Sequence, residues 1–162
     1  MYTQIIKDRE IIEDNWLHLD DEAELAAGNI TVSLARWQEQ HETLCDHEGG
    51  LGLRLTGEDP LEEVVPDLDS FTLIVLAFPA FTDGRCYSFA RLLRDRFSFK
   101  GEIRAQGDVL YDQLFYMTQC GINSFELANQ NRVVDALAAF DDFSESYQTT
   151  VAKPAPLYRR CR

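Results

Sequence analysis

The sequence predicts an α/β protein with a parallel sheet of about four strand–helix units, preceded by an N-terminal β-hairpin and helix. Residues 51–148 alternate short apolar segments with segments whose apolar residues recur at helical spacings. This alternation is typical of a parallel sheet with right-handed crossovers. The segment FTLIVLAF is almost entirely apolar, as expected for a strand covered on both faces. The pattern leaves two arrangements open, an open three-layer sheet and a half-barrel.

Residues 1–50 are predicted to add a hairpin and a helix to this core. Two apolar clusters flank Lys7–Glu10, which indicates a hairpin although the turn lacks Asn-Gly or Asp-Gly. The segment ITVSL is either a short strand or the start of a helix, with Ser33 or Thr31 as the N-cap. The helical stripe that follows consists of Leu34, Trp37, His41 and Leu44.

The first half of the core is predicted to hold two strands and two helices. After the strand LGLRL, Asp59 is expected to cap a helix that has Pro60 at its first position. The inner face of this helix consists of Leu61, Val64, Val65 and Leu68. After FTLIVLAF, a helix is predicted from about Gly84 to Phe97. Its inward residues are Phe89, Leu92, Leu93 and Phe97.

The second half repeats the pattern. The strand GEIRA is followed by a helix that Asp108 is expected to cap and that ends near Gly121. The inward residues of this helix are Leu110, Leu114 and Met117. A strand NSFEL and a last helix follow, and the helix turns Val133, Val134, Leu137 and Phe140 inward. Residues 1–148 are therefore expected to form one domain, and residues 149–162 an extended tail.

The composition limits the classes of function. The chain has 162 residues and a net charge of −13, which disfavours non-specific binding of nucleic acid. Residues 1–70 hold 18 acidic and 4 basic side chains, and this acidic half either keeps the protein soluble, which is the favoured interpretation, or steers a basic partner. A long apolar segment and a signal-peptide pattern are both missing from the sequence. We therefore predict a cytoplasmic protein that does not enter a membrane.

The sequence contains no motif for a metal or a cofactor. The cysteines Cys45, Cys86, Cys120 and Cys161 form no CxxC pair, so free thiols in a reducing cytosol are expected. His41, Cys45 and His47 match no standard zinc spacing, and His41 falls on the apolar stripe, which favours packing. GxGxxG and GxxxxGK loops are also missing. We predict no metal and no cofactor.

Positive charge follows the apolar strand, in the segment PAFTDGR. The carboxyl ends of parallel strands are where ligands gather, and a helix N-terminus favours anions. Thr82 or Asp83 can cap the helix, and Gly84 allows a tight turn. Arg85 lies in the first helical turn, where the helix dipole disfavours a cation. This position indicates that Arg85 holds a bound anion or a nearby carboxylate.

The next strand is predicted to contribute to the same edge. Arg104 is expected at the end of that strand, and the loop AQGDV adds polar groups beside it. The sequence therefore predicts a small anion site in which Arg85 and Arg104 are the main contacts. The predicted ligand-binding residues are Thr82, Asp83, Gly84, Arg85, Tyr87, Ser88, Arg91, Arg104, Gln106, Gly107, Asp108 and Gln113. The alternative is structural: Arg85 bridges to Asp108 or Asp112 and ties two loops together, and Arg91 forms an ordinary surface pair with Asp95.

Catalytic candidates are few. Asp108 and Asp112 form a possible acid–base pair, although the cap already explains Asp108. Cys86 lies in a first helical turn beside Arg85, where a thiolate would be favoured. All three histidines precede residue 48, and no GxSxG motif is present, so the sequence offers no Ser-His-Asp triad.

The blocks FPAFTDGR, GEIRAQGDVLYDQL and CGINSFEL resemble one bacterial family, domain-of-unknown-function family 934. The resemblance covers about residues 51–148, and it extends to the paired isoleucines and Asp14–Trp16 near the start and to the segment SESYQ. Its signature positions are Asp83, Gly84, Arg85, Tyr87, Ser88, Arg91, Arg104, Gly107, Asp108, Asp112 and Gln113. Cys86 stands where the family pattern has glycine, which argues against a family nucleophile there.

The resemblance implies a role in sulfite reduction, because members are commonly described in that way, and it implies no established catalytic residue or cofactor. The leading hypothesis is an accessory protein that binds a small anion or polar metabolite, docks on sulfite reductase or another sulfur-assimilation protein, or does both. A homodimer is possible. The alternatives are a small enzyme that uses Asp108 or Asp112 with Arg85 or Arg104 on an anionic substrate, and a structural interaction module with an acidic docking face.

Overall fold

The computed structural model of the chain describes residues 3–141 and 149–160. The eight strands in this part are β1 (Gln4–Lys7), β2 (Glu10–Glu13), β3 (Trp16–His18), β4 (Asn29–Ser33), β5 (Leu51–Leu55), β6 (Leu73–Phe78), β7 (Glu102–Gly107) and β8 (Ser124–Phe125). The helices are α1 (Leu34–Cys45), α2 (Leu61–Val64), α3 (Arg85–Asp95), α4 (Leu114–Gln119), α5 (Val133–Ala139) and α6 (Leu157–Arg160). Short 3₁₀ segments span Val65–Ser70, Tyr111–Gln113 and Gln130–Arg132. Among the described residues, no helix is long and apolar enough to cross a membrane.

The eight strands form one mixed sheet in the order β2-β1-β8-β7-β6-β5-β4-β3. Strands β3 to β8 pair in parallel; the prediction for the core covered β5 to β8, and β3 and β4 extend it. The predicted N-terminal hairpin is confirmed, with Asp8 and Arg9 at positive φ in its turn. However, β1 pairs antiparallel with β8, through Ile6 opposite Phe125. The predicted parallel sheet is therefore confirmed only in part: the whole sheet is mixed, because the hairpin adds to the edge of the parallel core.

The sheet is curled into a half-barrel, so the open three-layer alternative is not what forms. Strands β2 and β3 are the two ends of the sheet, yet only Asp14 and Asn15 separate them in the chain. Three trans peptide steps reach at most about 11 Å, so the end of β2 and the start of β3 must lie close together. A flat sheet of eight strands spans about three times that distance. The short link therefore requires the curl.

The two faces of the sheet differ in chemistry. One face packs against the helices, and its residues Leu53, Ile74, Leu76 and Ile103 belong to the main apolar core. The opposite face is the concave face. On it lie the alternate residues of the strands, among them His18, Thr31, Gly52, Arg54, Leu73, Val75, Glu102, Arg104 and Gln106. Buried polar and charged side chains thus share this face with small and apolar ones.

Three local predictions about the helices need correction. Pro60, rather than Asp59, is the N-cap residue of α2, because the Asp59 carboxylate accepts the backbone N–H of Thr56 instead. Asp108 is not the N-cap of the helix that follows it. The 3₁₀ segment Tyr111–Gln113 comes first, with Leu110 as its N-cap, and the N-cap of α4 is Gln113. Leu110 and Val134 are exposed rather than inward. The N-cap Ser33 is confirmed, with Oγ accepting from the Arg36 N–H at 3.1 Å.

The tail after residue 148 is only partly extended. Thr150 is buried, and the backbone N–H of Val151 donates to the carbonyl of Gln119 at 3.2 Å. The chain then forms the short helix α6. The segment SESYQ, which the family resemblance includes, lies outside the described residues.

Candidate functional site

Arg85, the predicted centre of the anion site, is already paired with two carboxylates. Its Nη2 lies 2.8 Å from Asp83 Oδ2, and its Nη1 lies 3.2 Å from Glu58 Oε1. The Asp83 carboxylate also accepts the backbone N–H of Arg85 at the start of α3. These hydrogen bonds from Arg85 lower the pKa of Asp83 to about 2. Arg85 therefore bridges carboxylates, as the structural alternative expected, but its partners are Asp83 and Glu58 rather than Asp108 or Asp112.

The other rim residues join the two loops that follow β6 and β7. Asp108 accepts the backbone N–H of Phe81 at 2.9 Å, and Gln113 Nε2 donates to Tyr87 Oη at 3.3 Å. Arg91 forms its predicted surface pair with Asp95 at 3.1 Å. The remaining predicted side chains, Thr82, Ser88 and Asp112, are exposed. These contacts give Asp108, Gln113 and Tyr87 a structural role in holding the two loops together.

Arg104 does not lie at this rim. Strand β7 extends to Gly107, so Arg104 is the third of its six residues and only 1% of its side chain is exposed. Its Nη1 lies 2.9 Å from both carboxylate oxygens of Asp14, and its Nε and Nη2 donate to Glu102 Oε1 at 3.0 and 2.8 Å. The prediction that Arg85 and Arg104 share one site is therefore wrong. The strand is longer than GEIRA indicated, and its alternation turns Arg104 onto the concave face.

A network of charges surrounds Arg104 on the concave face. Burial alone would raise the pKa of Asp14 and Glu102, but hydrogen bonds and nearby cations outweigh it and lower both pKa values. For Asp14 the opposing contacts come from His18 and Arg104. For Glu102 they come mainly from Lys7, whose Nζ lies 2.7 Å from Oε2, and from Arg104. Both carboxyl groups are therefore ionised at neutral pH.

Polar groups continue toward the carboxyl ends of the strands. His18 Nδ1 lies 2.7 Å from Thr31 Oγ1. His18 Nε2 is buried, lies 3.7 Å from Asp14 Oδ2 and has no hydrogen-bond partner within the described part of the chain. Glu126 accepts a hydrogen bond from Gln106 Nε2 at 2.7 Å. One ligand atom each from Asp14, His18 and Glu126 lie within 4.8 Å of one another. The concave face thus holds a base, carboxylates and a guanidinium in one group.

Arg54 is the other arginine on this face. It is partly buried and its Nη2 donates to the carbonyl of Leu19, the residue after His18. Among the described residues, no carboxylate forms an ion pair with Arg54. In this respect Arg54 differs from Arg85, which pairs with two carboxylates.

A polar cleft opens at the amino ends of the strands. Its volume is about 390 Å³, and its lining includes Lys7, Trp16, Lys100 and Glu102. The Lys7–Glu102 pair lies between this cleft and Arg104.

Cys86 lacks the properties of a nucleophile. Burial raises the pKa of its thiol to about 12, with a further contribution from the Asp83 carboxylate, and Sγ donates to the carbonyl of Ala77. The expectation that the helix start would favour a thiolate is therefore wrong, because burial outweighs it. Of the other residues considered for zinc, His41 packs edge-on against Trp37, and His47 Nε2 bonds to the carbonyl of Gly28.

Residues 52–158 match the sequence model of one protein family, which is described as a bacterial protein of unknown function (DUF934). The chain belongs to this family. No curated protein and no solved structure matches the chain. The DUF934 match contains Arg54, Glu102, Arg104 and Glu126, whereas the N-terminal hairpin and β3 and β4 precede it.

Sequence reasoning missed most of the concave face of this DUF934 chain. Lys7, His18, Arg54, Glu102 and Glu126 were not among its candidates, and Asp14 entered only through the family resemblance. One signal was present. In GEIRAQG the polar residues Glu102, Arg104 and Gln106 alternate, and alternate residues of a strand share a face. A polar stripe in a strand between buried neighbours indicates a functional interior.

Proposed function

We propose that this DUF934 protein is an accessory protein of assimilatory sulfite reduction that binds a small anionic or polar metabolite. The binding region is the carboxyl-end part of the concave face, around Arg54 and His18. The pathway rests on the family resemblance. The binding region rests on the charges and contacts of the described residues.

The observation that carries the proposal is the difference between Arg54 and Arg85. Arg85 bonds to two carboxylates, so an incoming anion would have to displace Asp83 or Glu58. Arg54 bonds to a carbonyl oxygen and is partly buried, so its guanidinium keeps donors for an anion. Partial burial also strengthens its attraction for an anion over that in bulk water. Small-molecule sites are typically concave, with a few converging polar groups.

A thermal-shift screen with two arginine variants tests the proposal. Wild type, Arg54→Gln and Arg85→Gln are melted with sulfite, sulfate, phosphate and common phosphorylated metabolites. A ligand at ten times its Kd stabilises the fold by about 1.4 kcal/mol, which raises Tm by roughly 3–6 °C in a chain of this size. We expect the shift in wild type and Arg85→Gln, and its loss in Arg54→Gln.

The opposite pattern, with the shift lost only in Arg85→Gln, would move the site back to the TDGR loop. Equal melting of all three proteins with every compound would overturn ligand binding. Docking on sulfite reductase or another sulfur-assimilation protein would then be the part of the proposal to test, by co-purification at low and high salt.

A second candidate is a small enzyme that acts on an anionic substrate. The observation in its favour is the contact of His18 Nε2 with Asp14 at 3.7 Å, because a histidine beside a carboxylate is a common general base. The earlier pair, Asp108 and Asp112, has less support, since Asp108 is engaged by the Phe81 N–H and Asp112 is exposed. Turnover lost in His18→Gln and retained in Asp112→Asn would favour the enzyme and the concave site together.

A further inference from the structure

Three potential metal ligands from separate segments converge on the concave face. Asp14 comes from the link between β2 and β3, His18 ends β3, and Glu126 follows β8. A carboxylate oxygen from each acid and one nitrogen of His18 all lie within 4.8 Å of one another, and all three residues are partly buried. The convergence depends on the curl of the sheet, because β3 and β8 are five strands apart in the sheet order.

The imidazole of His18 is oriented as a ligand would be. Its Nδ1 lies 2.7 Å from Thr31 Oγ1, and Thr31 is fully buried. In the tautomer in which Nδ1 donates to this hydroxyl, Nε2 presents its lone pair to the carboxylates. A metal-ligating histidine commonly uses its second nitrogen in this way, which holds the ring in position.

Nε2 is an unsatisfied polar atom. It is buried and has no hydrogen-bond partner among the described residues, which is unusual for a polar atom in a folded protein. In the tautomer that leaves Nε2 without a hydrogen, its lone pair is available 3.7 Å from Asp14 Oδ2. A metal ion that bound both atoms would satisfy Nε2.

The pairing of charges on this face leaves one carboxylate for a metal ion. The concave group contains the carboxylates of Asp14, Glu102 and Glu126 against the cations Arg104 and Lys7. Arg104 bonds to Asp14 and Glu102, and Lys7 bonds to Glu102. Glu126 bonds only to the neutral amide of Gln106 among its described contacts. Among the described residues, no cation forms an ion pair with Glu126.

The geometry points to a binding site for a divalent first-row transition-metal ion, such as Zn²⁺ or Mn²⁺, formed by Asp14, His18 and Glu126. One imidazole nitrogen and two carboxylate oxygens suit these ions. Donor atoms around a tetrahedral ion with bonds of about 2.1 Å lie about 3.4 Å apart, so separations of up to 4.8 Å shorten by at most about 1.4 Å when the ion binds. Three protein ligands leave a coordination position for water or for a second ligand. This proposed metal site does not depend on whether the protein binds the small anionic or polar metabolite proposed above.

The test uses the full chain after removal of metal with a chelator. Zn²⁺, Mn²⁺ and Co²⁺ are titrated into wild type, His18→Gln and Glu126→Gln by calorimetry, and the visible spectrum of the Co²⁺ form is recorded. His41→Gln is the matched control, because it removes another histidine that lies close to a carboxylate and to Cys45. Glu126→Gln keeps the size of the side chain and its hydrogen bond to Gln106, so folding should be preserved.

We expect one ion per chain in wild type and in His41→Gln, and at least tenfold weaker binding in His18→Gln and Glu126→Gln. The Co²⁺ spectrum should lack a sulfur-to-metal charge-transfer band. No binding by wild type would overturn the metal site. Binding that is lost in His41→Gln, or a sulfur band in the Co²⁺ spectrum, would overturn it in favour of ligands near Cys45.

Discussion

Arg104 and Asp14 lie ninety residues apart in the chain and form a buried ion pair, with Nη1 2.9 Å from both carboxylate oxygens. The pair joins β7, in the middle of the family match, to the link between the two edge strands of the sheet. It thereby holds the curl that forms the concave face. Glu102 and Lys7 extend the pair into a four-residue network.

Removal of Arg104 should strongly destabilise the fold. The variant Arg104→Met leaves Asp14 and Glu102 without their shared cation in a buried site, and breaking a buried pair in this way costs about 3–5 kcal/mol. Urea unfolding of wild type and variant measures the free energy of unfolding. The matched control is Arg85→Met, in which an exposed, solvent-screened arginine is lost and little change is expected. Equal losses in the two variants would contradict the assigned role of Arg104.

Acid should weaken the protein through the same network. Asp14 and Glu102 have pKa values below those of the unfolded chain, so the unfolded state binds more protons as the pH falls. Their stabilisation is complete above about pH 5 and is lost as the pH falls from there through their folded-state pKa values. Urea unfolding between pH 3 and pH 6 should therefore show a shallower pH dependence in Asp14→Asn/Glu102→Gln than in wild type. Asp83 also titrates at low pH, but it is present in both proteins. Parallel pH profiles would refute the claim.

The thiols should differ in reactivity. Burial raises the pKa of Cys86 to about 12 and also raises the pKa of Cys120, whereas Cys45 is exposed. Iodoacetamide at pH 8 should therefore modify Cys45 in the native protein and spare Cys86 and Cys120, as measured by peptide mass spectrometry. Cys161 lies outside the described residues and is replaced by serine for this experiment. Labelling in urea is the control, and it should reach all three remaining thiols. Rapid native labelling of Cys86 would restore it as a candidate nucleophile.

Two signature glycines should tolerate alanine differently. Gly107 has a φ of +111°, and a Cβ there would lie 2.4 Å from the carbonyl oxygen of Phe78. Gly84 has a φ of −94°, and the nearest atom to an added Cβ, in Tyr87, is 3.7 Å away. We expect Gly107→Ala to cost more than about 1 kcal/mol and Gly84→Ala to cost little. Thermal unfolding of both variants gives the comparison, and a larger loss in Gly84→Ala would contradict it. The tight turn predicted at Gly84 does not require glycine.

Sequence-based prediction succeeded for elements that are specified by residues close together in the chain. FTLIVLAF became the buried strand β6, the helix after TDGR became α3, and the segment around Lys7–Glu10 became a hairpin. Each of these elements is specified by neighbours a few residues away. The position of Arg104 was wrong because strand boundaries are weakly marked, and two extra residues changed an end position into a central one.

The amino-acid sequence by itself determined most of the strand and helix segments, the parallel pairing of the core strands and the family. It did so because hydrophobic periodicity reports which face of each segment is buried. Only the tertiary structure decided that the sheet is mixed and curled, that Arg85 is neutralised by Asp83 and Glu58, and that Asp14, His18, Glu126 and Arg104 meet. Those contacts join residues far apart in the chain. They depend on strand register and on the closure of β2 toward β3, which no local pattern encodes.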